Sequence, residues 1–441
     1  MSRQIRIARS NLPAKVTVPA RQHRRIAIAA TCAIAGLLLT ACASGGSGAA
    51  PGGASAAASA SRAAGGQLSI TPANGSTQAR PDQGITVTAA HGKITNVTVS
   101  TAGGTVTGSL NSAGTVWHSS SWALGVSQSY TVTAAGTGPT GQKVTQTSSF
   151  RTLTPAETAQ TMIFEGYQQT YGVGMPIILT FSHPVVNKAA VERSLQLRTS
   201  KPVAGAWYWD GSQTLDFRPE SYWPAHTQVS FTGHLNGVEL APGVYGDHTL
   251  TQSFNIGSSL IVVASTSTHY MKLYRNGKLL DRWPISTGRP GDNTPNGTYL
   301  TIEKGNPVLM TGPGYSIEVP WSVRFTWSGD YLHDAYWSTG EQGFTNVSHG
   351  CVNMPPADAE VYYQMAVPGD PVTITGSPRA GEWDNGWTEW FLTWNKYLKG
   401  SALHMAVQAG PNGSTFVDPA SLPAPAAAPF GAPDPGNWAA T

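Results

Sequence analysis

Apolar and polar residues alternate in short runs between residues 67 and 153. Such runs occupy residues 84–89, 95–100 and 129–134, and turn residues separate them. Alternation with a period of two places one face of a strand in a core and the other face in solvent. The pattern predicts an antiparallel β-sandwich over residues 67–153.

The next hundred residues follow the same plan. Trp122 and Trp223 each lie eight residues before an aromatic residue, Tyr130 and Phe231, that opens a similar strand. The offset of 101 residues between the two pairs is typical of tandem immunoglobulin-like (Ig-like) domains. We predict a second Ig-like sandwich over residues 154–257. Both domains are interpreted as spacers, since neither contains a cluster of titratable residues.

The pattern changes after residue 257. Strand-like apolar runs continue to residue 375, and hairpin and loop signals separate them. One helix candidate, 355–365, has prolines and acidic residues near its start, which favours a helix N-terminus there. We predict a mixed β domain with one short helix over residues 258–377. The expected strands are 260–264, 269–274, 298–302, 322–326, 331–333 and 371–375.

Four tryptophans spaced by three or four residues follow this domain. They are Trp383, Trp387, Trp390 and Trp394. A helix would place all four on one face, so we predict a Trp-rich, helical C-terminal extension over residues 378–408 that packs onto a neighbouring domain. Contact with a glycan or a membrane is the alternative. Residues 409–441 are rich in Ala, Pro and Gly and are predicted to form a disordered tail.

The N-terminus has the features of a secretion signal. A basic segment, 21–25, precedes an apolar run, 26–39, that is too short to span a bilayer. The run ends in Leu-Thr-Ala-Cys42, which resembles a bacterial lipobox. We predict a lipoprotein signal peptide over residues 1–41, lipidation of Cys42 and a flexible Ala/Gly/Ser linker over residues 42–66. The protein is then expected on the extracytoplasmic face of the cell membrane, in the cell wall space; an ordinary secretory signal is the alternative.

Composition narrows the class of protein. Charged residues make up only 12% of the 441 residues, and 49 Gly and 31 Pro exclude a coiled coil or a helical bundle. The formal charge of +3 comes from seven basic residues, and no acidic ones, in residues 1–41. The remaining chain has 20 basic and 24 acidic side chains, so we expect no nucleic-acid partner.

The cysteines point to one residue. Cys32 would leave with the signal peptide and Cys42 would carry lipid, so Cys351 alone remains and no intrachain disulfide can form. A free thiol outside the cytoplasm is prone to oxidation and is a liability without a function.

Cys351 lies in a context that suits a nucleophile. It follows the run 348–350 and precedes the predicted helix 355–365, whose N-terminus would favour a thiolate. A thiol needs an imidazole as its base, and His333 in a separate predicted strand is the candidate. Gly350 allows close backbone approach, so N–H groups of this loop are candidates for holding an oxyanion.

Other interpretations stay open on these residues alone. A buried, inert Cys–His pair explains these residues as well as nucleophilic catalysis does. A zinc site is disfavoured, because one cysteine with two or three histidines lacks the paired spacing that structural zinc prefers. We therefore expect no metal and no organic cofactor.

A family resemblance shifts this balance. His333, a spacer of fourteen residues and the run 348–353 (Ser-His-Gly-Cys-Val-Asn) resemble the signature of the L,D-transpeptidases, the YkuD-domain family of peptidoglycan enzymes. Segments 294–299 and 337–340 also resemble the family, and the similarity covers residues 258–377. With the lipobox and two Ig-like domains, the chain is similar to actinobacterial lipoprotein members. The implied fold is mainly β, two Ig-like sandwiches followed by a YkuD-type catalytic domain.

The resemblance implies a role for each residue of the motif. Cys351 would attack the carbonyl of the third residue of a tetrapeptide stem and release D-Ala. His333 would accept the thiol proton and later serve the incoming amine. The backbone carbonyl of Ser348 would hold the His333 ring. Backbone N–H groups of His349, Gly350 and Cys351 would stabilise the oxyanion.

The resemblance also implies how substrate is held. Tyr315 would be a flap residue over the donor site, Trp337 a wall of that site, and Asn353 would orient the substrate or the loop. The His349 side chain would be structural. The implied partners are peptidoglycan stem peptides, a tetrapeptide donor and a diaminopimelate-type acceptor, together with the membrane through the lipid. The protein is expected to be a monomer that carbapenems acylate at Cys351.

The implied activity is that of a cysteine acyltransferase forming 3→3 cross-links in peptidoglycan. An L,D-carboxypeptidase, which gives the acyl-enzyme to water, is an alternative, as is attachment of a protein or amino acid to the stem. A non-catalytic, wall-binding lipoprotein is a third. Cell-wall amidases that use cysteine have Cys before His in the chain, whereas His333 comes before Cys351 here.

Overall fold

A computed structural model of the chain describes residues 68–120, 122–312 and 314–422. The predicted signal peptide, Cys42 and the predicted linker lie outside these residues. No helix in the described part is long and apolar enough to cross a membrane. Strands dominate the regular structure there, so the predicted mainly β fold is confirmed.

The first sandwich consists of two antiparallel four-stranded sheets, ordered β1-β2-β6-β5 and β4-β3-β7-β8. In β7, Tyr130, Val132 and Ala134 are buried while the residues between them are more exposed, as the alternation predicts. These side chains contribute to one apolar core between the sheets. The strands are β1 (Leu68–Thr71), β2 (Thr86–Ala89), β3 (Lys93–Thr101), β4 (Gly104–Thr105), β5 (Gly108–Leu110), β6 (Val116–Ser119), β7 (Ser129–Thr137) and β8 (Lys143–Arg151).

The second sandwich places the four-stranded sheet β11-β19-β16-β13 over a larger sheet that begins β10-β12-β15-β14. A three-stranded sheet, β17-β18-β9, and the short helix α1 (Lys188–Arg193) complete it. Its strands are β9 (Glu157–Ala159), β10 (Thr161–Ile163), β11 (Thr170–Tyr171), β12 (Ile177–Phe181), β13 (Leu195–Thr199), β14 (Val203–Asp210), β15 (Thr214–Pro219), β16 (Gln228–Gly233), β17 (Glu239–Ala241), β18 (Val244–Gly246) and β19 (Leu250–Ile256).

The third domain contains a five-stranded sheet, β22-β21-β20-β30-β23, a four-stranded sheet, β24-β27-β28-β29, and the hairpin β25-β26. The predicted single helix is present as α2 (Pro356–Met365), and its Ala359 and Tyr362 are buried in the domain core. The strands are β20 (Leu260–Ser265), β21 (Tyr270–Arg275), β22 (Lys278–Pro284), β23 (Gly297–Leu300), β24 (Glu303–Gly305), β25 (Val308–Gly312), β26 (Tyr315–Val319), β27 (Ser322–Arg324), β28 (Tyr331–Asp334), β29 (Val352–Met354) and β30 (Pro371–Thr375).

The Trp-rich extension is not one continuous helix. It contains a 3-10 turn at Glu389–Phe391 and the short helix α3 (Trp394–Leu398), whose start Thr393 caps by accepting a hydrogen bond from the Lys396 N–H. Trp390 is buried, and its indole N–H donates to the Gly174 carbonyl at 2.8 Å. The extension therefore packs onto the second sandwich, the arrangement predicted in place of a glycan or membrane contact.

The prediction of a disordered tail over residues 409–441 is wrong where the structure describes them. Strands β31 (Ala406–Gly410) and β32 (Gly413–Val417) form a hairpin that extends the larger sheet of the second sandwich. β31 pairs with β14, Val203 lying opposite Ala409. The edge of β14 supplies unpaired backbone groups, so this segment becomes ordered through tertiary pairing that its own composition does not reveal.

Candidate active site

Two neighbouring strands bring the predicted base and nucleophile to one surface. β28 and β29 pair in parallel, with Leu332 opposite Val352 and His333 opposite Asn353. Leu332 and Val352 are fully buried in the domain core. Because side chains alternate along a strand, His333 and Asn353 face the other way, as does Cys351, two residues before Asn353. All three line the same cleft.

His333 is held as a neutral base. Its ring is 3% exposed, and burial lowers its pKa to about 4. Nδ1 lies 2.6 Å from the backbone carbonyl oxygen of Asp334, which can only accept, so Nδ1 carries the proton. Nε2 is then the nitrogen available to accept a proton from a thiol. The Trp337 ring stacks on the imidazole at 5.9 Å between centroids.

The prediction that the Ser348 carbonyl orients His333 is wrong. That carbonyl accepts a hydrogen bond from the Arg289 N–H at 2.9 Å, within a short backbone bridge between Gly288 and Ser348. The orienting group is the carbonyl of Asp334, the residue directly after His333. The group that orients the imidazole therefore comes from the same strand as the imidazole itself.

Cys351 is a neutral thiol at rest. Burial raises its pKa to about 12, and the charge of Asp330 adds to the increase, while a hydrogen bond from the Tyr331 backbone N–H opposes it. Its sulfur lies 3.9 Å from the Gly329 carbonyl. The side chain is partly exposed at the cleft. Burial favours the neutral forms of both groups, so the proton can move from sulfur to imidazole as the sulfur attacks.

The loop before Cys351 is shaped by Ser348. The Ser348 hydroxyl donates to the Cys351 carbonyl at 2.6 Å and accepts from the Gly350 N–H at 3.2 Å. The Gly350 N–H is therefore engaged within the loop, in contrast to its predicted oxyanion role. Among the described residues, the backbone N–H groups of His349 and Cys351 have no acceptor. These two are the donors left to hold an oxyanion.

Gly350 is required at its position. Its φ of +128° lies in a region that favours glycine, and an added Cβ would collide with the Asp330 carboxylate. The Gly350 carbonyl accepts a hydrogen bond from the Thr294 hydroxyl at 2.6 Å, which ties the loop to the segment 292–297. The loop is thus fixed on both sides of the nucleophile.

The cleft has a volume of about 400 Å³. The hairpin β25-β26 forms one side of it and contributes Tyr315, whose ring lies 5.1 Å from that of His349. Trp337 also lines the cleft and is 44% exposed. The lining residues are Met310, Tyr315, Ile317, Val319, His333, Trp337, Ser338, Glu341, Val347, Ser348, His349, Cys351 and Asn353.

Asn353 supports the cleft wall. Its side-chain amide donates to the Ser338 hydroxyl at 2.9 Å, and its backbone exchanges two hydrogen bonds with Ser286. Residues with a chemical role that the sequence reasoning missed are Asp334, whose carbonyl orients the base, and Asp330, beside the nucleophile. A backbone carbonyl leaves no side-chain signal, although the position next to His333 is a geometric clue.

No group of three or more His, Cys, Asp or Glu side chains in the described part of the chain is placed to hold a metal ion. The thiol, the imidazole and the two free N–H groups instead form a constellation suited to acyl transfer through a thioester.

Comparison with known proteins agrees with this constellation. The model of the L,D-transpeptidase catalytic domain, YkuD, matches residues 259–374, and that of a bacterial Ig domain matches residues 76–239. L,D-transpeptidase 2 of Mycobacterium tuberculosis is 30% identical over 343 residues, which are 74% of this chain and 84% of that protein. L,D-transpeptidase 5 of that organism is 32% identical over 353 residues, 76% and 77% of the two chains.

A solved structure of an L,D-transpeptidase in complex with imipenem is 35% identical and covers 50% of this chain and 100% of that one, with a TM-score of 0.42. The two family models and the two relatives define a peptidoglycan-modifying enzyme with Ig-like domains ahead of its catalytic domain. The chain belongs to the L,D-transpeptidase family.

Proposed function

We propose that the protein forms 3→3 cross-links in peptidoglycan through an acyl-enzyme on Cys351. The observation that carries this proposal is the shared face of Cys351 and His333, with the imidazole oriented by the Asp334 carbonyl and with two free N–H groups beside the sulfur. A thiol and an imidazole so placed can split an amide exchange into two easier steps.

In the first step the sulfur of Cys351 attacks the carbonyl carbon of the third stem residue while its proton passes to Nε2 of His333. The N–H groups of His349 and Cys351 hold the oxyanion. The bond between carbonyl carbon and nitrogen then breaks, and His333 returns the proton to the departing D-Ala amine. The products are a thioester and free D-Ala.

In the second step the amine of another stem attacks the thioester. His333 accepts a proton from that amine, the bond between carbon and sulfur breaks, and the proton returns to the sulfur. A new amide forms and the thiol is restored. The exposed rings of Tyr315 and Trp337 at the cleft suit a peptide chain lying between them.

The test uses the full-length protein, a disaccharide-tetrapeptide and mass spectrometry, with Cys351→Ala as the matched variant. We expect a dimer that has lost one D-Ala, formed only with Cys351 present, and one imipenem adduct on the same residue. Tripeptide without dimer would indicate an L,D-carboxypeptidase. Unchanged substrate from a folded protein would favour a non-catalytic wall-binding protein.

We also propose that the protein is a monomer anchored to the outer face of the cell membrane through lipid on Cys42. The lipobox-like run ending at Cys42 supports this location, and peptidoglycan stems are accessible there. We expect Cys42→Ala to move the protein from the membrane to the soluble fraction. Unchanged membrane fractionation of this variant would refute the lipid anchor.

A further inference from the structure

A tight turn, residues 326–330, packs against the nucleophile. It joins β27 to β28, and its Gly329 carbonyl lies 3.9 Å from the sulfur of Cys351. Asp330 ends the turn and is 7% exposed. It is not among the residues that line the cleft with His333.

The Asp330 carboxylate is held firmly by one of its oxygens. Oδ2 accepts hydrogen bonds from the Thr326 hydroxyl at 2.7 Å and the Ser328 hydroxyl at 3.1 Å. The Asp330 N–H donates to the Thr326 hydroxyl at 2.8 Å. Ser328 is fixed in turn by Asn385 of the Trp-rich extension, whose amide oxygen accepts from the Ser328 N–H at 2.7 Å.

The other oxygen is directed at the nucleophile loop. Oδ1 would collide with a Cβ added at residue 350, so it lies beside the Gly350 backbone that precedes Cys351. Within the described residues, Oδ1 accepts no hydrogen bond. A carboxylate oxygen without a donor can accept a hydrogen bond from a cationic group that arrives during function.

The arginines nearby form ion pairs with other carboxylates. Arg324 pairs with Glu303 at 2.8 Å and donates its remaining N–H groups to carbonyls of the turn. Arg289 pairs with Asp292, also at 2.8 Å. No ion pair to Asp330 exists among the described residues, and its charge, after burial, raises the pKa of Cys351.

We propose that Asp330 receives the ammonium group of the acyl acceptor beside Cys351, so that the acyl-enzyme selects cationic amines over water and neutral nucleophiles. The inference rests on the proposed function and adds the residue that sets acceptor choice. A carboxylate next to a nucleophilic thiol is unfavourable in the resting enzyme, but it becomes favourable once a cation lies between it and the thioester.

The proton balance of the second step is complete. The acceptor arrives as an ammonium ion paired with Asp330 and releases one proton to solvent to become an amine. The amine attacks the thioester carbon, and its second proton passes through His333 to the sulfur as the bond between carbon and sulfur breaks.

The test compares two acceptors with one donor, using full-length protein and a disaccharide-tetrapeptide. A stem tripeptide with a free diaminopimelate amine is the cationic acceptor, and it lacks the D-Ala that would make it a donor. Hydroxylamine is the acceptor that is neutral at pH 7. The readout is the ratio of kcat/KM for tripeptide to kcat/KM for hydroxylamine, from which any common loss of acylation cancels.

We expect Asp330→Asn to lower this ratio about tenfold, the effect of losing one charge pair in a partly desolvated site. Asp281→Asn removes the same charge from an exposed hairpin and should leave the ratio unchanged. In the unsubstituted protein, added salt should raise KM for the tripeptide and not for hydroxylamine, a measurement independent of whether the variant folds.

An equal loss with both acceptors would show that Asp330 only supports the turn, and the inference would be overturned. Insensitivity of the tripeptide KM to salt would have the same meaning. Failure of the proposed function is distinguishable, because it would appear as absence of Cys351-dependent D-Ala release in the unsubstituted protein with either acceptor.

Discussion

Two of the regions that bury titratable side chains differ in what surrounds those side chains. One is the cleft, where burial lowers the pKa of His333 to about 4 and raises that of Cys351 to about 12. The other lies where the second sandwich meets the C-terminal extension. There burial raises the pKa of Glu165 to about 8 and that of Glu389 to about 7, and lowers that of Arg218 to about 10.

The second region is sealed by aromatic rings. The Arg218 guanidinium lies 4.4 Å from the ring centroids of Trp390 and Tyr397 and 5.7 Å from that of Trp394, and it donates to the Leu392 carbonyl at 2.9 Å. The cleft instead opens to solvent at Cys351. Burial shifts pKa values in both regions. Only the cleft combines such shifts with a reactive group open to solvent and with free N–H donors beside it, which is the arrangement that catalysis needs.

The largest effect is expected from removing the general base of the cleft, His333. His333→Ala removes the acceptor for the Cys351 proton, so kcat/KM for D-Ala release should fall about 10³-fold, within the range of general base catalysis. The measurement is D-Ala release from a tetrapeptide stem under single-turnover conditions. His349→Ala is the matched variant, and its activity should fall less than about tenfold, because its ring contacts Tyr315 rather than the thiol.

Equal losses in the two histidine variants would contradict the assignment of His333 as the base. A small loss in His333→Ala alone would show that Cys351 ionises without a protein base, which its pKa of about 12 makes unfavourable near neutral pH.

Much of this contrast could be predicted from the sequence. The alternation in 129–134 gives β7 correctly, and the spacing from His333 to Cys351 identifies the pair that the parallel strands β28 and β29 bring to one face. Both signals are local or repeat in a fixed order. Strand periodicity therefore identifies the elements, and the family resemblance identifies the reactive residues.

What was missed depends on contacts distant in the chain or on backbone atoms. The Asp334 carbonyl orients His333, yet every residue has a carbonyl and none is distinguished by its side chain. The pairing of Val203 with Ala409 joins segments about 200 residues apart, and the Ala- and Gly-rich composition there gives no hint of it. Buried Arg218 and Glu165 look like ordinary surface charges in sequence, because their burial is decided by the extension.

A smaller effect is expected from breaking the sealed region. Arg218→Met leaves the Leu392 carbonyl without its donor and removes the charge nearest Glu389, so the free energy of unfolding should fall by about 3 kcal/mol. Urea unfolding followed by tryptophan fluorescence measures this. Arg193→Met, at an exposed position of the same sandwich, should change stability by less than about 0.5 kcal/mol.

Arg218→Lys sharpens the same test. Lysine keeps the charge. Its ammonium group cannot stack on the Trp390 and Tyr397 rings as a planar guanidinium does, and it cannot donate to several carbonyls in one plane. We expect it to recover less than half of the stability lost in Arg218→Met. Full recovery by lysine would mean that charge alone, and not stacking, stabilises the junction.

The smallest effect concerns how stability depends on pH. Glu165 has a folded-state pKa of about 8, above its ordinary value of 4.5, because burial disfavours its charged form. The folded state therefore holds a proton that the unfolded state releases, and this contribution is present at low pH and lost as pH rises through about 8. For one proton the slope is at most about 1.4 kcal/mol per pH unit.

Glu165→Gln keeps the shape and removes the titration, so the decrease in unfolding free energy between pH 5 and pH 8 should become shallower. Part of the decrease should remain, because Glu389, with a pKa of about 7, titrates with the same sign. Glu360→Gln, at an exposed position of α2, should leave the dependence unaltered. A Glu165→Gln variant with the original slope would mean that Glu165 is ionised in the folded state. The sealed region would then differ from the cleft in protonation as well as in access.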